Sequence, residues 1–121
     1  MSVTTFEAET ENLTEQEKHY IATVIKVLRQ ITEPRKSQEV CELIQLHIWN
    51  DLEDSVRFTP VRLRKYVNHI RLNGLLPVIA TSEGYFVSYN REVIEKQIKS
   101  LNERASSIRK CADGLTKFIG P

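Results

Sequence analysis

The chain has 121 residues, 40% of them hydrophobic and 27% charged, with a formal net charge of +1. That is enough for one domain with a core and too little for two ordinary ones. No apolar run approaches the roughly 20 residues needed to span a bilayer, and the start Met1-Ser-Val-Thr-Thr-Phe-Glu lacks the pattern of a signal peptide.

The neutral total hides an asymmetry. Residues 1–17 hold five glutamates and no base, whereas residues 55–75 hold Arg57, Arg62, Arg64, Lys65 and Arg71 and no acid. A polyanion responds first to such a local patch. The two cysteines, Cys41 and Cys111, are far apart and in no metal-like spacing. A reduced cytoplasmic protein with two buried thiols is expected.

Residues 1–12 are polar, acidic and without periodicity, and read as a flexible acidic arm. Thr14-Glu-Gln-Glu17 is a capping box. Behind it Tyr20, Val24, Val27 and Ile31 fall on one helical face, so one helix is expected from Thr14 to about Ile31, stopped by Pro34. Ser37 is the expected cap of a second helix with Val40, Leu43, Ile44 and His47 inward; Trp49 is also assigned to the core. Asn50-Asp-Leu-Glu-Asp-Ser55 reads as a loop.

A third helix opens with Thr59 as cap and Pro60 at its first position, where the missing amide costs nothing. Leu63, Tyr66, Val67 and Ile70 form its buried stripe, and Gly74 suits a left-handed end. Leu76–Ala80 and Tyr85–Tyr89 read as strands joined by the turn Thr81-Ser-Glu-Gly84, with Pro77 marking an edge. A third strand fits near Arg35 or near Val56. Asn90 caps a last helix whose apolar positions Ile94, Ile98, Leu101, Ala105, Ile108, Ala112 and Leu115 recur at spacings of 4 and 3, a heptad seam. The expected class is α+β and mostly helical: a winged helix-turn-helix with a β-hairpin wing over residues 13–89, then a long C-terminal helix over 90–117. The seam has two readings: pairing with a second chain in a homodimer, or docking on the domain. Partial docking combined with dimer contact is the adopted reading.

In projection, Lys65 and Asn68 point outward on the third helix, flanked by Arg62 and His69 on one side and Arg64 and Arg71 on the other. Arg and Lys can pair with guanine or phosphate, and Asn with adenine. Thr59 and the first amides of the helix suit a phosphate, and Arg57 adds a backbone contact. The expected division is phosphate anchoring by Arg57, Arg64 and Arg71 and base contacts from Arg62, Lys65, Asn68 and His69. A solvated amphipathic face is the bland alternative. Val61 and Leu72 are apolar on the outward side, suited either to thymine methyls or to a protein partner. Glu83 at the wing tip would be repelled by phosphates, so the wing is expected to be structural or to act through Thr81 and Ser82. The acidic arm is a further candidate, folding over the basic helix in place of phosphate.

The segment Ile70-Arg-Leu-Asn-Gly-Leu-Leu-Pro-Val-Ile-Ala-Thr-Ser-Glu-Gly-Tyr-Phe-Val-Ser88, followed by Ser100-Leu-Asn-Glu-Arg-Ala-Ser-Ser-Ile108, resembles small winged-helix proteins encoded by bacteriophages and related mobile elements. The resemblance covers about residues 37–115. It implies that the helix Thr59–Asn73 reads double-stranded DNA, in a regulatory or replication-linked role. The alternative is a winged-helix adaptor that binds protein. No catalytic, metal or cofactor site is expected: His19, His47 and His69 have no acid or cysteine at ligand spacing, and four glycines leave no room for a phosphate loop.

Overall fold

The computed structural model describes residues 12–120. The expected arm, and its proposed fold over the basic helix, lie outside them but for Asn12. Two compact units meet in sequence at Ser88 and Tyr89. The first contains α1 (Glu15–Lys18), α2 (Ile21–Arg29), α3 (Ser37–Leu52), α4 (Pro60–Leu72) and an antiparallel hairpin of β1 (Val78–Thr81) and β2 (Gly84–Val87). The second is α5 (Arg91–Leu115), followed by a 3₁₀ turn over Thr116–Phe118. The α+β class is therefore seen, as are the hairpin and the long terminal helix.

The expected single helix from Thr14 to Ile31 is two. The capping box forms: Thr14 Oγ1 accepts from the Glu17 amide, and Glu17 Oε1 accepts from the Thr14 amide. The chain then tightens, because the amides of His19 and Tyr20 donate to carbonyls only three residues back. This re-aims Tyr20 into the core while Glu17 stays on the α4 side. α2 ends before Ile31, where the Gln30 and Ile31 amides donate only three residues back; the Ile31 carbonyl then accepts from the Val87 amide of β2.

Lys36, not Ser37, is the residue before α3, and no side chain caps it. α3 runs through Asn50, Asp51 and Leu52, so the polar segment assigned to a loop begins only at Glu53. Glu53 takes a left-handed φ of 56° and its amide closes on the Trp49 carbonyl. The Asp51 carboxylate meets Lys26 of α2 at 2.9 Å, which a helical turn can arrange and sequence spacing does not reveal. Trp49 is 56% exposed rather than core, because Val40, Cys41, Ile44 and Ile48 already fill the inner face.

α4 begins and ends as expected, with Thr59 as cap, Pro60 in the first turn and Gly74 at φ +60°. Pro77 lies just before β1 rather than within it. Of the two candidate third strands it is Arg35 that joins the sheet, as a single bridge: its amide and carbonyl both bond to Tyr85. The approach is close enough that Gly84, at φ +134°, has no space for a side chain beside the Arg35 backbone. Val24, Leu28, Val40, Ile44, Ile48, Leu63, Tyr66 and Val78 make a shared core under α2, α3, α4 and the hairpin.

α5 is built differently. Asn90 caps it through the amides of Glu92 and Val93, and no residue of the helix is buried. Ile94 and Leu101 are half-buried; Ile98, Ile108 and Leu115 are exposed. Cys111 is exposed too, which corrects the expectation of two buried thiols; Cys41 is buried, and burial first, then the nearby Glu42, pushes its thiol up to about 11. Among the described residues no helix is long and apolar enough to cross a membrane.

Candidate nucleic-acid interface

The start of α4 is firmly placed. The Thr59 hydroxyl accepts from the Arg62 amide at 3.2 Å, and the Phe58 amide donates to Gln45 Oε1 of α3 at 2.7 Å. Phe58 stacks on Tyr66, with ring centroids 5.1 Å apart. No acid lies in the first turn of α4, so its amide dipoles keep their positive end. Arg57 stands exposed just before this turn. Arg62 folds back: its Nη1 donates to the Arg57 carbonyl at 2.6 Å, and its guanidinium lies 6.0 Å from the Phe58 ring centre.

Farther along α4 the structure departs from helical projection. Lys65, expected to point outward, is half-buried, with Nζ 2.9 Å from Glu17 Oε1 and only 15% of its side chain exposed. Arg62 Nε approaches the other Glu17 oxygen at 3.8 Å, and the Tyr66 hydroxyl donates to the Glu17 carbonyl at 2.6 Å. The capping box explains this. It fixes Glu17 in the first turn of α1, and α1 crosses α4 at Lys65 and Tyr66. Burial pushes the Glu17 carboxyl up. The hydrogen bonds from Thr14 and Lys65 and the charge of Lys65 outweigh it, leaving the carboxyl below its ordinary value. Tyr66 responds to the same contact: burial, then the Glu17 charge, pushes its hydroxyl far up.

Arg64, Asn68, His69 and Arg71 are all half-buried as well. Arg71 Nε donates to the Val78 carbonyl at 3.0 Å, tying α4 to the hairpin. Of the three arginines expected to anchor phosphate, only Arg57 is exposed; the four expected base readers are all half-buried. On α4 and in the turn directly after it, the exposed large apolar side chains are Val61, Leu72 and Leu75.

One cation escaped sequence reasoning. Lys36 lies before α3, yet its Nζ reaches the Ser82 carbonyl at the hairpin tip, 3.4 Å away. It supplies the positive charge the tip lacks, beside Glu83. Forty-six residues separate the two, and no local pattern signals the pairing. The Thr81 hydroxyl serves the turn, accepting from the Glu83 amide at 3.2 Å, so it is bound within the hairpin. His47 Nδ1 lies 2.9 Å from the Leu43 carbonyl. Among the described residues no group of His, Cys, Asp and Glu is placed to hold a metal ion. Comparison with protein-family models, curated proteins and solved structures finds no match for this chain.

Proposed function

We propose that the chain is a winged helix-turn-helix protein of the bacteriophage or mobile-element kind that binds double-stranded DNA in a regulatory or replication-linked role. The order of helix, bridging residue, two helices and hairpin supports the fold reading. The observation that carries the DNA reading is the cationic entrance to α4, whose first turn holds no acid of its own, with exposed Arg57 and half-buried Arg62 beside the Thr59 cap. Such an entrance suits a phosphate oxygen. Lys36 at the hairpin tip is a second contact for the backbone of a duplex. The geometry favours phosphate contact at the head of α4 over base reading along its length, because Lys65 is engaged by Glu17.

The test is fluorescence anisotropy of a random-sequence duplex titrated with wild-type protein, Arg57→Glu and Lys36→Glu at two salt concentrations. Binding that weakens steeply with salt and is reduced at least tenfold by Arg57→Glu is the expected result. Absence of binding at low salt overturns the reading. Lys65→Glu is a poor probe, because it sets two carboxylates against each other inside the α1–α4 contact.

A protein-binding adaptor is the second reading, and a specific observation favours it. Leu72 is 74% exposed at the end of α4, and Leu46, Trp49 and Leu52 stand exposed on α3. Leu46, Trp49 and Leu52 recur every three residues along one helix, and exposed large apolar groups set together in this way mark interaction sites. Leu72→Glu would then abolish partner capture, while Arg57→Glu would leave it intact.

A further inference from the structure

We infer that α5 pairs with α5 of a second copy of this chain, antiparallel and centred on residue 103. The seam runs through seven positions at alternating spacings of 4 and 3, and no residue of the helix is buried. Such a repeat over about seven turns is the pattern of a two-stranded coil.

Orientation follows from size and charge. In a parallel pair each seam residue faces its own copy. Ala105 would meet Ala105 and Ala112 would meet Ala112, leaving two thin layers. Arg104 would also lie beside the partner's Arg109, twice over. Reversing one helix about residue 103 aligns Arg91–Leu115 with itself along its full length. Leu101 then faces the partner's Ala105, Ile94 the partner's Ala112, and Ile98 the partner's Ile108. Every alanine meets a large aliphatic group, which fills the gap a pair of alanines would leave. Glu95 comes beside the partner's Arg109, again twice. Within its own helix Glu95 already holds Arg91 at 2.6 Å, an exposed pair of small worth that leaves a carboxylate oxygen for a second cation. One like-charge contact remains, Arg104 with the partner's Arg104 at the dyad. Both are exposed arginines on long stems that can splay into water.

Cys111 provides the readout. It is exposed, whereas the only other cysteine, Cys41, is buried. In the antiparallel pair Gln97 neighbours the partner's Cys111; in a parallel pair Thr116 does. The experiment uses the full chain without DNA, so it fails or succeeds independently of the DNA reading. Light scattering gives the mass of wild type and of Ile98→Glu. Non-reducing gels after mild oxidation with oxidised glutathione then compare Gln97→Cys with Thr116→Cys. A wild-type mass of two chains, halved by Ile98→Glu, with a covalent dimer from Gln97→Cys alone, is the expected result. A monomeric wild type at high micromolar concentration overturns the inference. So does an intact Ile98→Glu dimer, or cross-linking by Thr116→Cys instead of Gln97→Cys.

Discussion

The two units of this chain spend their apolar residues in opposite ways. In residues 13–88 they converge: Val24, Leu28, Val40, Ile44, Ile48 and Leu63 are fully buried in one core. In α5 they form a regular stripe, and none is buried. A converging pattern makes a fold that a single substitution can destroy. A stripe makes a surface, where a substitution changes association and leaves the fold alone. Trp49 is the single tryptophan and belongs to the first unit, so its fluorescence during urea denaturation reports on that unit and can separate the two behaviours.

The largest effect is expected at Gly84. Alanine there needs a positive φ and drives its Cβ into the Arg35 backbone, which is itself held by two hydrogen bonds to Tyr85. A loss of roughly 3–5 kcal/mol is expected, close to the whole stability of a small domain. A Trp49 midpoint near that of wild type would contradict the close approach. Next is Ile44→Ala in α3, expected to cost about 3 kcal/mol in the same measurement through lost burial and the cavity left behind.

These two residues also mark what the sequence makes legible. Ile44 is readable from helical periodicity, as are the α4 cap at Thr59, the glycine after it and the hairpin. The bridge between Arg35 and Tyr85 is not, because one residue pair carries no periodic signal; only its neighbourhood could be named. The site is legible in composition but not in geometry. The basic run of α4 is plain in the sequence, and projection places Lys65 at its outward centre. Projection treats a helix as though its neighbours were absent. It cannot register that a capping box 48 residues earlier presents a carboxylate to Lys65, or that Arg71 turns to a hairpin carbonyl. Trp49 fails for a related reason: α3 has more apolar residues than its inner face can bury.

The Glu17–Lys65 contact comes next in size. Glu17→Gln retains the capping box, since glutamine can also accept from the Thr14 amide, and removes only the charge facing Lys65 and Arg62. A loss of about 1–2 kcal/mol at neutral pH is expected, reflecting an ion pair mostly shielded from water. The pH dependence has a definite sign. The Glu17 carboxyl titrates below its ordinary value in the folded protein, so its stabilisation is fully present above the unfolded value. It is lost as pH falls through the lowered folded value. The gap between wild type and Glu17→Gln should therefore be widest near pH 7 and close as the solution becomes strongly acidic. A gap that widened towards acid would show that the carboxylate is not stabilised by these partners.

The smallest effect sharpens the opening contrast most. Ile108 has the same side chain as Ile44 and the same helical setting, yet it is 42% exposed where Ile44 is wholly buried. Truncation to alanine at Ile108 removes the same atoms without opening a cavity in the core. Its Trp49 unfolding curve should match wild type within about 0.5 kcal/mol, against about 3 kcal/mol for Ile44→Ala. If the paired α5 helices account for the seam, the same substitution should instead weaken association, seen as a higher protein concentration needed to reach the two-chain mass. A large shift of the Trp49 midpoint would mean that Ile108 serves the core after all, and the division of labour between the two units would fail.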